Sequence, residues 1–98
     1  MPRHLTEEEK ALFHAVLSLK TVEEAAAFFE DVCTVKEVQD MAQRLWVARL
    51  LKSGETYSRI RDLTGASTAT VSRVNRCLQY GSGGYERVLD RRKDSDGQ

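Results

Sequence analysis

"GASTATVSRVNRCL", residues 65–78, decides how this chain is read. A glycine opens it, a serine follows two residues later, and apolar side chains then recur at Val71, Val74 and Leu78. That spacing of three and four is one stripe of a helix, with Ser67 as its N-cap and Gly65 in the turn before it. With the stripe turned inward and Cys77 at its edge, Thr68, Ala69, Ser72, Arg73, Asn75, Arg76 and Gln79 face outward, with Thr70 at the flank. The outward side chains are short near the helix start; the long hydrogen-bonding ones lie behind. A helix of this kind can bring its backbone into a DNA major groove and reach bases or phosphates with Arg, Asn or Gln.

Working upstream, Thr56 caps a short helix over residues 57–64, with Ile60 and Leu63 inward, and Gly65 ends it. Two helices joined through a glycine turn make a helix-turn-helix over residues 56–79. Free amides at the start of the second helix favour a phosphate, and Arg59 and Arg61 on the first stand ready for the neighbouring backbone. Between residues 56 and 80 there are four arginines and one acidic residue, Asp62. The plainer alternative is that these hydroxyls only cap and solvate an amphipathic helix, since many helical pairs share the spacing.

Three further helix starts use one device. Thr6, Thr21 and Thr34 are each followed three residues later by Glu9, Glu24 and Glu37, the capping-box pattern. The helices they open span about 7–19, 22–32 and 35–52. Their apolar stripes are Leu12, Phe13, Val16, Leu17 and Leu19; then Ala25, Phe28, Phe29 and Val32; then Val38, Met41, Ala42, Leu45, Trp46, Ala48 and Leu50 or Leu51. Gly54 closes the third as a left-handed cap. The stripes are wider than a lone three-helix core needs, and a dimer core would use them; Trp46 belongs to the core or to that seam. Residues 80–84 read as a flexible break, 85–92 as a last short helix, and 93–98 as a disordered tail. The expectation is an all-α chain of about six helices, one domain over residues 1–98, with dimerisation helices over about 6–52.

Net charge is zero, but it is unevenly spread. Residues 1–43 carry 4 Lys and Arg against 9 Asp and Glu, and residues 44–98 carry 11 against 6. A basic half can meet nucleic acid while an acidic half faces elsewhere, although solvated helix faces also produce such splits. Cys33 and Cys77, 44 residues apart, and two histidines, His4 and His14, offer no metal-ligand spacing; two buried free thiols and a partly buried His14 are expected. Nothing resembles a catalytic pair or a phosphate loop, because Gly81, Gly83 and Gly84 follow a helix instead of opening one, so no enzyme is expected. With no signal peptide and no apolar run near 18 residues, the chain is expected in the cytoplasm, away from membranes.

A resemblance extends this reading. "RLWVARLLKSGETYSRIRDLTGASTATVSRVNRCLQYGSGGY", residues 44–85, resembles the second half of the tryptophan repressor superfamily, most closely its YerC/YecD-type branch; "TGASTATVSRVNRCL" followed by "YG" is the specific part. "SLKTVEEAAAFFEDVCTVKEVQDMAQRL", residues 18–45, resembles the same branch, so the likeness covers nearly all of residues 5–90. It implies an intertwined homodimer built from the N-terminal helices, each subunit offering one helix-turn-helix to double-stranded DNA, as a transcriptional regulator of repressor type. Thr68, Ala69, Thr70, Ser72 and Arg73 match the tip of the family's reading helix, and Arg61 a basic position on the helix before it. Ser67, Arg59 and Arg76 complete the expected DNA-facing set. In the repressor, base contacts run largely through water.

The resemblance also implies an effector pocket. The repressor sandwiches the indole of tryptophan between two arginines, with a threonine from the other subunit; Arg44, Arg73 and Thr34 stand at the matching positions. Two departures bear on it. Val74 replaces a glycine, and Cys77 replaces the serine that meets the amino group of the ligand. The match also needs a one-residue gap between Leu51 and Gly65. No cofactor is therefore expected, with tryptophan the one ligand to weigh. The alternative function is a helical dimeric interaction module without DNA binding.

Overall fold

The computed structural model describes residues 3–95. Among them are six helices and no strand: α1 (Glu7–Leu17), α2 (Val22–Val32), α3 (Val35–Lys52), α4 (Tyr57–Thr64), α5 (Thr68–Tyr80) and α6 (Gly84–Ser95). By their contacts the residues group into two compact units, Met1–Gln39 and Asp40–Gln98.

In the first unit the threonines act as the sequence predicts, with one variation. Thr6 and Glu9 form a full capping box: the Glu9 amide donates to the Thr6 hydroxyl at 3.0 Å and the Thr6 amide to the Glu9 carboxylate at 2.9 Å. Thr34 and Glu37 do the same at 3.1 and 2.8 Å. At α2 the Thr21 hydroxyl accepts the Glu24 amide, but the Glu24 carboxylate accepts the Lys20 N–H, one residue early, at 3.1 Å. The first helix ends at Leu17, two residues sooner than its stripe suggests, with Ser18 as its C-cap, whose hydroxyl donates to the Ala15 carbonyl at 2.6 Å. Leu19 lies beyond the helix. No residue of α1 or α2 is buried; Leu12, Phe13, Leu17, Val22 and Val32 are exposed. His14, expected partly buried, is exposed near the end of α1.

The second unit holds the core. Val47 and Ala48 of α3, Ile60 of α4, Ala66 of the turn, and Val71 and Val74 of α5 are buried, with Leu50, Leu51, Leu78, Tyr85 and Leu89 packed against them. Two expectations change here. Leu63 is 50% exposed, not inward. The inner arc of α4 runs from Ile60 to Thr64 one turn on, where the half-buried Thr64 hydroxyl donates to the Ile60 carbonyl at 2.8 Å, and this leaves Leu63 on the shoulder. On α3 the inward arc is Val47, Ala48 and Leu51, while Met41, Ala42, Leu45 and Trp46 lie on the outer side. That helix is apolar on both faces. Trp46 is 51% exposed, with the Arg49 guanidinium 5.0 Å from its ring centroid, so it is no part of this core.

The C-terminal helix is longer than expected. Tyr85 and Leu89 anchor it to the core, and Lys52 at the end of α3 pairs with Glu86 at 2.9 Å and Asp90 at 3.0 Å. Once anchored, extending a helix adds a backbone bond for each residue fixed, and α6 continues through Ser95 where a tail was expected from Lys93. The rest of that expected tail, residues 96–98, lies outside the described residues.

Candidate nucleic-acid interface

The α4–turn–α5 segment is fixed by its own polar groups before any partner is considered. Thr56 caps α4, its hydroxyl accepting the Arg59 amide at 3.1 Å. Gly65 ends that helix at φ +74°, a left-handed conformation in which a β-carbon is strained. Its amide returns to the Arg61 carbonyl at 2.9 Å. The Ala66 amide bonds the Thr64 hydroxyl at 3.1 Å, and the Ala66 methyl enters the core. Ser67 then caps α5, accepting the Thr70 amide at 3.1 Å and donating its own proton to the Thr70 hydroxyl at the same distance.

Of the nine residues expected to face DNA, Arg59, Arg61, Ser67, Thr68, Ala69, Ser72, Arg73 and Arg76 are exposed; Thr70 is half-buried. Thr70 is engaged in the cap, and Asn75, also expected outward, is half-buried. Arg61 reaches across from α4 and donates to the Thr68 hydroxyl at 2.9 Å, so the basic helix and the tip of α5 are joined by a side-chain bond. Arg59 keeps a loose pairing with Glu55, 3.9 Å apart. The surface can therefore present guanidinium groups, hydroxyls and the free amides of the α5 start to an anionic polymer.

One contributor was not visible in the sequence. Gln43 on α3 donates its side-chain amide to the Thr64 carbonyl at 3.2 Å, tying the end of α4 to α3. A shallow, largely apolar groove of about 520 Å³ also opens beside α5, lined by Leu45, Cys77, Gly81, Ser82, Gly84, Tyr85 and Val88. Cys77 is exposed at its edge and Cys33 is half-buried; both thiols are free, and neither is buried as expected. Gly81 is required by close approach: a β-carbon there would lie 2.4 Å from the Cys77 carbonyl oxygen.

The effector-pocket residues are placed as follows. Arg44 is half-buried on α3 and Arg73 is exposed on α5. Val74, next to Arg73, is 1% exposed within the core. Thr34 lies in the first unit, where its hydroxyl and amide form the α3 cap. Among the described residues there is no group of three or more His, Cys, Asp or Glu that could hold a metal ion, and no helix long and apolar enough to cross a membrane.

Compared with known families, residues 7–93 match the Trp repressor protein family, a span that includes all of α1–α5 and the interface just described. The chain belongs to the Trp repressor family. Within that family it is 56% identical over 85 residues to the uncharacterised protein YerC of Bacillus subtilis (strain 168), covering 87% of this chain and 82% of that protein. Its fold is similar to the crystal structure of a TrpR-like protein from Eubacterium eligens, with a TM-score of 0.86 and 53% identity over 88% of this chain and 89% of the other. A candidate Trp repressor from Staphylococcus aureus gives 0.83 and 50%, over 86% and 84%. The all-α architecture and the YerC-type relationship expected from the sequence both hold.

Proposed function

We propose that this Trp repressor family member is a homodimeric, sequence-reading transcriptional regulator that binds double-stranded DNA through α4 and α5 and acts in the cytoplasm as a repressor. The observation that carries the reading is the exposed row of Thr68, Ala69, Ser72, Arg73 and Arg76 on α5, beside Arg59 and Arg61, with Asp62 the only acidic residue between 56 and 80. The dimer is supported by the two-faced α3, by α1 and α2 holding no fully buried residue in a single chain, and by the groove beside α5. Paired by two-fold symmetry, the reading helices enter successive major grooves about 34 Å apart, and the operator is palindromic.

Selection from a pool of duplex fragments, followed by a salt series on the enriched site, tests this. If three arginines per subunit neutralise phosphates, the logarithm of affinity falls against the logarithm of salt with a slope of about −5. Arg73→Ala should weaken binding about tenfold or more while leaving the mass of the assembly unchanged. Equal binding by Arg73→Ala would remove α5 as the reading helix. Failure to enrich any sequence would favour a helical module that docks other proteins.

A further inference from the structure

The reading helix is fastened by the chain's own side chains at three places. On its inner face Val74 packs at 1% exposure in the core that also holds Val47, Ile60 and Val71. At its tip Thr68 is held by Arg61 at 2.9 Å. At the turn, Thr64 is gripped from both sides: its carbonyl accepts from Gln43, and its hydroxyl joins the Ile60 carbonyl to the Ala66 amide.

The family implies a different fastening, in which tryptophan wedges between arginines at positions 44 and 73. The residues present do not fit that ligand. A ring lying between α3 and α5 and stacked on Arg73 must pass over position 74, which here carries a branched side chain. A β-branched residue in a helix has one strongly preferred χ1 rotamer, and burial in the core removes room to leave it. Val74 therefore cannot swing aside without opening the packing against Val47 and Ile60. Cys77 adds a second mismatch, since a thiol is a weak acceptor for an ammonium group where a hydroxyl would be a good one.

We infer that the helix-turn-helix is set in its reading position by Val74, Arg61 and Gln43, so that DNA binding requires no tryptophan. This rests on the DNA-binding function proposed above and adds how that function is governed.

Two measurements on the full-length chain test it. In the first, L-tryptophan at millimolar concentration is titrated calorimetrically into the protein without DNA. In the second, affinity for the enriched duplex is measured with and without the same tryptophan. Allosteric coupling between two ligands is typically about 5–150-fold; we expect a change below about twofold and no saturable heat. Saturable heat, or tightening of fivefold or more, would overturn the inference. If the protein binds no duplex in either condition, the DNA-binding function fails, while the calorimetric arm still decides whether the indole is accepted. Val74→Gly and, where that variant unfolds, Val74→Ala extend the test. Heat of tryptophan binding gained on trimming the side chain identifies Val74 as the obstruction, and silence in a folded Val74→Gly chain shows that the obstruction lies elsewhere and overturns its assignment to Val74.

Discussion

Two glycines and one glutamate show how differently single residues carry this structure. Gly65 holds φ at +74°, so Gly65→Ala should cost about 1–2 kcal/mol in urea unfolding and disturb the turn that aims α5. Its role was legible in the sequence, because a lone glycine between two capped helices has few other uses. Gly81 was not legible in the same way. Its φ of −83° is open to any residue, and what excludes a side chain is a carbonyl from the turn before, which only coordinates reveal. Glu9 gives a pH dependence. The Arg3 guanidinium, and then the Thr6 amide, hold its carboxyl at about 2 against an ordinary 4.5. With the folded value depressed, this contribution to the start of α1 is complete above about 4.5 and is lost as pH falls toward about 2. The helical chemical shifts of the first turn of α1 should decline across that window, and Arg3→Ala should move the Glu9 titration, followed by NMR, back toward its ordinary value.

At the scale of the helix, α3 separates what periodicity can say from what it cannot. The spacing of its apolar residues marks which of them share a face, but a helix with apolar residues on two faces offers two candidates for the inward side. Val47 was missing from the expected stripe and is fully buried, while Met41, Leu45 and Trp46 were in it and stand on the outer side. Helix ends were more legible, because caps are local: the bounds of α2, α3 and α4 coincide with those the Thr, Ser and Gly signals suggest. The pairing of Lys52 with Glu86 and Asp90, more than thirty residues away, which holds α6 to the end of α3, is encoded by no local pattern. The outer face of α3 supplies its own test. Trp46→Glu should leave the helix formed, as circular dichroism would show, and weaken self-association about 30-fold or more in sedimentation equilibrium.

For the whole molecule, what the sequence made legible about the candidate interface is its exposure: eight of the nine expected positions are exposed on α4, the turn and α5, and their contact with DNA stays a proposal. The bond from Arg61 to Thr68 and the tie from Gln43 were not legible, since they join helices whose approach depends on the core. The charge division has a physical setting as well. The excess of acid lies in residues 1–43, away from the α4–α5 surface in sequence, and the excess of base includes that surface. Because α1 and α2 hold no fully buried residue in a single chain, the dimer proposed above predicts a thermal midpoint that rises with protein concentration, as calorimetry over a hundredfold dilution range would register. That same lack of a private interior in the N-terminal helices reaches into genetics. In the homodimer proposed above, each subunit would complete the interior of the other, and chains made together would pair with one another. On that proposal, a cell making both the parent chain and Arg73→Ala would hold mixed pairs beside uniform ones, each mixed pair bearing a single intact reading helix, and a defect confined to one allele would weaken the product of the other.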